Sequence, residues 1–130
     1  MSAELLRAAQ AALSRRDFAG ARRAAEQVLL DRPNDPGANQ VLGLVAIEQG
    51  DPAGALTFLR RADSAAPGQM HILNALGVAL RRTGAIAEAR SIFTRAGDFG
   101  LIDAWRNLGI LEANAGDANA ARIAYSNALA

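Results

Sequence analysis

Several residue types are scarce or absent in this chain of 130 residues. Cysteine is missing, so disulfides and thiolate chemistry are excluded. Aromatic residues make up only 5% of the chain, whereas a direct count finds 31 alanines. Because alanine is the best helix former and has little bulk, this composition favours a helical core that relies on close backbone packing. Lysine is also absent, so all 14 basic residues are arginine, which we interpret as a bias in composition.

Long apolar runs and an excess of one charge are missing as well. No stretch of 18 apolar residues exists, so no membrane insertion is expected. Arg7 and Gln10 interrupt the only segment that could resemble a signal peptide. A cytoplasmic location is therefore expected, unless a leader lies outside the sequence given. The formal net charge of +1 lacks the basic excess typical of nucleic-acid binding, so no nucleic-acid partner is predicted.

An internal repeat dominates what is present. The pairs Leu42-Gly43, Leu76-Gly77 and Leu108-Gly109 recur at spacings of 34 and 32 residues. Four further columns keep the same register: Gly50, Gly84 and Gly116; Ala55, Ala89 and Ala121; Leu59, Phe93 and Tyr125; Ala62, Ala96 and Ala128. A fainter copy lies 34 residues upstream, where Asp17-Phe18-Ala19-Gly20-Ala21 matches Asp51-Pro52-Ala53-Gly54-Ala55. Repeats of this length indicate stacked helix pairs.

The turn within each copy indicates where its helices end and begin. Gly50 can adopt the left-handed conformation that ends a helix, Asp51 can cap the next helix, and Pro52 fits its first turn. Apolar residues at helical spacing support four helix pairs. The predicted helices are 3–15 with 18–31, 37–49 with 52–65, 70–82 with 85–96, and 102–115 with 118–129.

The unit resembles the tetratricopeptide repeat (TPR), because Leu-Gly is followed by Ala, an aromatic or large apolar residue, and Pro. The fourth copy has Trp105-x2-Leu108-Gly109, the usual opening of that pattern. The resemblance implies an all-α, right-handed solenoid of antiparallel helix pairs, the TPR superhelix, with about eight helices. We expect one domain over residues 1–130 with about three and a half to four repeats: a degenerate one at 2–35, then 36–69, 70–101 and 102–130.

Two departures from the family pattern carry further expectations. The third copy is two residues short and has Gly97-Asp98-Phe99-Gly100 in place of its closing Pro, so we expect Phe99 to fill the resulting gap. The family usually adds a polar capping helix after the last repeat, and none follows here. We therefore expect an exposed apolar edge that could support a homo-oligomer, formed by Ala121, Ala124, Tyr125, Ala128 and Leu129.

By analogy with the family, the first helix of each pair lines a concave groove that holds a peptide. The groove residues predicted from helical spacing are Gln40, Leu44, Glu48, His71, Asn74, Val78, Arg81, Asp103, Arg106, Ile110 and Asn114. Among them, the Asn74 amide can donate and accept hydrogen bonds, and Arg81 and Arg106 can hold a carboxylate in fork geometry. The alternative interpretation is that these side chains are simply solvated.

Catalytic and metal sites are not predicted. His71 is the only histidine, and without cysteine or a carboxylate cluster it suggests no metal site. Ser64 and Ser91 lack a nucleophile elbow, and the glycines form no phosphate-binding loop. The predicted function is therefore non-catalytic protein–protein interaction, without cofactors, through the groove or the carboxyl-terminal edge. Two alternatives stay open: a substrate-presenting module at the amino terminus of a larger bacterial enzyme of sulfotransferase, glycosyltransferase or hydroxylase type, or a small secretion or pilus-assembly chaperone.

Overall fold

The computed structural model describes residues 2–130, and within them the chain is all-helical. The predicted all-α fold is confirmed, and every helix end lies within two residues of its predicted position. In chain order the helices are α1 (Ser2–Ser14), α2 (Phe18–Asp31), α3 (Pro36–Glu48), α4 (Pro52–Ala65), α5 (Met70–Arg82), α6 (Ile86–Asp98), α7 (Ile102–Asn114) and α8 (Ala118–Leu129). Consecutive helices pack as pairs. None of the helices in residues 2–130 has both the length and the apolar character needed to cross a bilayer.

The turns inside the pairs follow the predicted chemistry. Gly50 has a φ of +78°, the left-handed conformation that glycine adopts without strain. Arg16, at the matching position of the first pair, takes a φ of 64° despite its side chain. In the turn between α3 and α4, the Asp51 carboxylate accepts a hydrogen bond from the Gly54 backbone N–H at 2.9 Å. Asp17, Asp35 and Asp117 cap their helices in the same way.

The chain divides into two compact units, Met1–Pro67 and Gly68–Ala130. In the first unit, α1 to α4 enclose a core of small side chains, in which Ala9, Ala21 and Ala25 are fully buried. Gly43 lies directly against the Leu59 side chain, because a Cβ atom at Gly43 would come within 2.5 Å of the Leu59 Cγ atom. The two helices of this pair therefore approach closely.

The second unit has larger core residues, with Leu73, Leu80 and Phe93 buried among α5 to α7. The same glycine contact recurs: Gly77 lies against the Phe93 ring, and Gly109 lies against the Tyr125 ring. In the second, third and fourth pairs, the glycine of the Leu-Gly column thus contacts the large residue of the Leu59, Phe93 and Tyr125 column.

The short third copy is accommodated differently from our expectation. Only Phe99, Gly100 and Leu101 separate α6 from α7, and Gly100 takes a φ of +107°. Phe99 is 57% exposed, so the prediction that it fills a gap is wrong. Leu101 is the buried residue of this turn, and the Trp105 indole packs against Gly97. The shortening is absorbed by a helix and a connection that each lose about one residue, so no gap needs filling.

Candidate functional site

The predicted groove residues of the second unit form one stripe on each of two neighbouring helices. His71, Asn74, Val78 and Arg81 follow helical spacing along α5. Of these, His71 is exposed and the other three are half-buried. The matching stripe on α7 has three exposed residues and a half-buried isoleucine: Asp103, Arg106, Asn114 and Ile110.

A hydrogen bond joins α5 and α7 near the middle of this surface. The Asn107 side-chain amide donates to the Asn74 Oδ1 atom at 3.0 Å. The bond occupies the carbonyl end of Asn74, so it does not use that residue's two N–H donors. Asn107 lies one position beyond the predicted stripe, and its role was not predicted from spacing.

Arg106 is engaged on its own helix rather than across the surface. Its Nη1 atom lies 2.8 Å from the Asp103 carboxylate, and both side chains are more than half exposed. Exposed pairs of this kind contribute about 0–1 kcal/mol to stability. A carboxylate ligand would have to compete with Asp103 for this guanidinium, which weakens Arg106 as a predicted anchor.

Arg81 and Asn114, predicted independently on α5 and α7, line one cavity of about 560 Å³. The other lining residues were not predicted: Arg82, Ile86, Leu111 and Ala115. The Arg81 Nε atom is buried and has no hydrogen-bond partner within residues 2–130. Burial, and to a smaller extent the neighbouring Arg82 charge, lower the pKa of Arg81 from its ordinary value.

The groove residues of the first unit lie on α3. Gln40 and Leu44 are half-buried, and Glu48 is exposed. Arg16, from the turn between α1 and α2, lies 3.3 Å from the Glu48 carboxylate. The Arg16 guanidinium also stacks over the Phe18 ring at 5.0 Å, an arrangement typical of a cation–π contact. Glu48 is therefore already paired with a cation.

The predicted apolar edge on α8 needs a correction. Ala121 and Ala124 are 6% and 2% exposed, so the prediction of an exposed edge is wrong for these two residues. Ala121 has the same position in its pair as Ala55 and Ala89, which are fully buried. Leu129 is 89% exposed, Tyr125 is 39% exposed and Ala128 is half-buried. Ala121, Tyr125 and Leu129 share a surface cavity of about 540 Å³.

A partly buried ion pair between α6 and α7 was not predicted from the sequence. The Arg90 Nε and Nη2 atoms donate to the Glu112 carboxylate at 2.8–3.1 Å in bidentate geometry. The Glu112 side chain is only 9% exposed. These hydrogen bonds, together with the Glu112 charge, raise the pKa of Arg90. The two residues are 22 positions apart on different helices, so no spacing rule indicates the pair.

No three histidine, cysteine, aspartate or glutamate side chains lie close enough to bind a metal ion within the part of the chain that the structure describes. The site is built from amides, guanidinium groups and aliphatic side chains on a repeating helical framework. These features define a helical-repeat protein. A tetratricopeptide repeat model matches residues 6–70, and a second one matches residues 46–99. The chain belongs to the tetratricopeptide repeat family.

Solved structures share this fold. MamA from Desulfovibrio magneticus RS-1 is 21% identical, with a TM-score of 0.86 over 99% of this chain and 74% of that one. YrrB, described as a TPR protein with an unusual peptide-binding site, is 22% identical, with a TM-score of 0.81 over 99% of this chain and 68% of its own. A mutant of the O-GlcNAc transferase of Thermobaculum terrenum is 27% identical, with a TM-score of 0.82, and the match covers 85% of this chain but 22% of the transferase. A comparison with curated proteins found no match.

Proposed function

We propose that this chain is a non-catalytic protein-interaction module that binds an extended peptide segment on the surface of α5 and α7. The observation that carries this proposal is the pairing of groove residues across the two helices, through the bond between Asn107 and Asn74 and the cavity shared by Arg81 and Asn114. YrrB, a protein of the same fold, is described as having a peptide-binding site, which adds support.

The chemistry of the surface suits an extended peptide. Such a peptide presents unpaired backbone N–H and C=O groups, which the Asn74 and Asn107 amides can accept from and donate to. Val78 and Ile110 are half-buried on the same two helices and offer apolar contact to alternate peptide side chains. A rigid helical face keeps the ordering cost of binding low on the protein side.

The proposal is tested by selecting peptides from a random display library on the purified chain and measuring their affinities by fluorescence polarisation. Val78→Arg places a large charged side chain in the middle of the surface and should weaken binding of the selected peptides by about tenfold or more. Ser91→Arg, at an exposed position of α6, adds the same charge elsewhere and should leave the affinities unchanged. Equal affinities for both variants would contradict the assignment of the peptide to α5 and α7.

A second candidate surface is the cavity on α8, with a second copy of this chain as its partner. The observation in its favour is the exposed Leu129, beside the half-exposed Tyr125. The formal net charge of +1 means that copies repel each other little. Light scattering over a range of concentrations should then show a mass above that of one chain, which Leu129→Glu lowers. A mass of one chain throughout would reject this candidate.

The remaining alternative is that the chain is a module of a larger enzyme. It is favoured by the similarity to the O-GlcNAc transferase, of which the match covers only 22%. The complete reading frame separates these hypotheses. A catalytic domain in the same frame would support the enzyme module, whereas a stop codon near Ala130 would favour an adaptor or a small chaperone.

A further inference from the structure

Arg81 differs from Arg90 and Arg106 of the same unit in its surroundings. Arg90 is paired with Glu112, and Arg106 is paired with Asp103. Arg81 is half-buried, and its Nε atom has no hydrogen-bond partner within residues 2–130. A buried donor without an acceptor costs free energy, so a ligand that supplies the acceptor gains from satisfying it.

The residues that line the cavity beside Arg81 suit the binding of a negatively charged group. The Arg81 guanidinium group and the Asn114 amide supply donors, Arg82 adds a second positively charged side chain to the lining, and none of the lining residues is acidic. The neighbouring positive charge and partial desolvation both disfavour the charged form of Arg81, as the lowered pKa indicates. A carboxylate placed between these donors relieves both effects and can accept two parallel hydrogen bonds from the fork of a guanidinium group.

We propose that this cavity is a subsite for the carboxylate side chain of an Asp or Glu residue in the bound peptide. The inference rests on the proposed peptide-binding function and specifies one residue class of its ligand. The side chain is favoured over a peptide's terminal carboxylate because Ile86, Leu111 and Ala115 form an apolar wall to the cavity. The methylene stem of an acidic side chain packs against such a wall while its head reaches the guanidinium group.

The test is a double-mutant cycle on peptides selected from the random library. Each peptide is compared with a version in which its acidic residue is replaced by Gln or Asn, on the wild-type chain, on Arg81→Gln and on Arg95→Gln. Arg95 is exposed on α6 outside the cavity, so its variant matches the change in net charge. On the wild-type chain and on Arg95→Gln, the loss of the carboxylate should weaken binding about 10- to 100-fold. On Arg81→Gln the same loss should have little effect.

A second measurement uses the unmutated chain, so its result does not depend on whether the Arg81→Gln variant folds. The Arg81 side-chain Nε–H resonance should shift when the acidic peptide is added and stay in place with the amide version. If loss of the carboxylate weakened binding equally on the wild-type chain and on Arg81→Gln, with no Nε–H shift, the subsite would be overturned. The proposed peptide-binding surface on α5 and α7 would not be affected by that result. Peptides with an amidated carboxyl terminus test the alternative ligand. If amidation weakened binding to the wild-type chain but not to Arg81→Gln, the side-chain assignment would be overturned. Failure to select any peptide would refute the proposed function itself.

Discussion

Glycine at the Leu-Gly positions determines how closely the helices of a pair approach. A Cβ atom at Gly77 would lie 2.5 Å from a ring carbon of Phe93, closer than side-chain contacts normally allow. The ring is fully buried, so it has little room to move away. The glycine therefore costs helix propensity but permits a large side chain to sit against the helix backbone.

Gly77→Ala separates these two effects by their sign. Helix propensity alone predicts a gain of about 1 kcal/mol from alanine in a helix interior. Overlap with Phe93 predicts a loss of about 1–3 kcal/mol, because overpacking a tight core forces shifts in its neighbours. We expect the loss to prevail, which urea denaturation followed by circular dichroism would measure. A raised midpoint would contradict the close contact.

The ion pair between Arg90 and Glu112 makes a second prediction at the scale of residues. Arg90→Met should leave the Glu112 carboxylate without its donors and lower stability by about 1–3 kcal/mol. The double variant Arg90→Met with Glu112→Leu removes both charges and should recover much of this loss. The same denaturation experiment applies. If the double variant were as unstable as the sum of its two single variants, the carboxylate would not be the source of the loss.

Helix caps vary among the elements. The carboxylates of Asp17, Asp35, Asp51 and Asp117 cap α2, α3, α4 and α8, whereas α5, α6 and α7 begin without a side-chain cap. Ala85 precedes α6 at the position that Asp51 occupies before α4. The third pair therefore lacks a stabilising contact that its neighbours have.

Ala85→Ser should supply that contact. Glu88 lies three residues further on, the spacing of a capping box, and the serine hydroxyl can accept from its backbone N–H. We expect a gain of about 0.5–1 kcal/mol for Ala85→Ser and a loss of about 1 kcal/mol for Asp51→Ala, which removes the equivalent cap. Thermal melting followed by circular dichroism measures both. Shifts of equal sign for the two variants would show that the caps are not equivalent.

The elements were predictable from sequence because their determinants are local. The glycine–aspartate turn at Gly50-Asp51 and the recurrence of Leu-Gly at fixed spacing depend on residues within one pair. The candidate site was less predictable, because its contacts join residues on different helices. The bond between Asn107 and Asn74 and the pairing of Arg90 with Glu112 depend on side-chain direction. The pairing of Arg106 with Asp103 is an exception, since its spacing of three on one helix could have indicated it.

At the scale of the whole chain, the two compact units differ in how much apolar bulk they bury. The buried residues of α1 are only Ala9 and Ala12, whereas α5 buries seven residues, Leu73, Leu76 and Leu80 among them. In repeat proteins, stability is a sum of local contributions, so the elements with the fewest buried contacts open first. The helices α1 and α5 should therefore not be equally protected.

Hydrogen exchange measures this difference directly. The backbone amides of α1 should exchange fastest among the helices of the first unit, and those of α5 should be among the slowest of the chain. The expected cause is the small apolar area of two alanines compared with three leucines. Uniform protection over α1 and α5 would mean that the chain opens only as a whole.

Trp105 is the only tryptophan of the chain, and its indole lies against the Gly97 backbone between α6 and α7. Its fluorescence therefore comes from a single known place in the second unit, with no second tryptophan to mix the signal. Circular dichroism, in contrast, averages over all eight helices. Recorded on the same sample, fluorescence follows the second unit and circular dichroism follows the helices of both units, so unfolding of the first unit at a different denaturant concentration appears as a difference between the two curves.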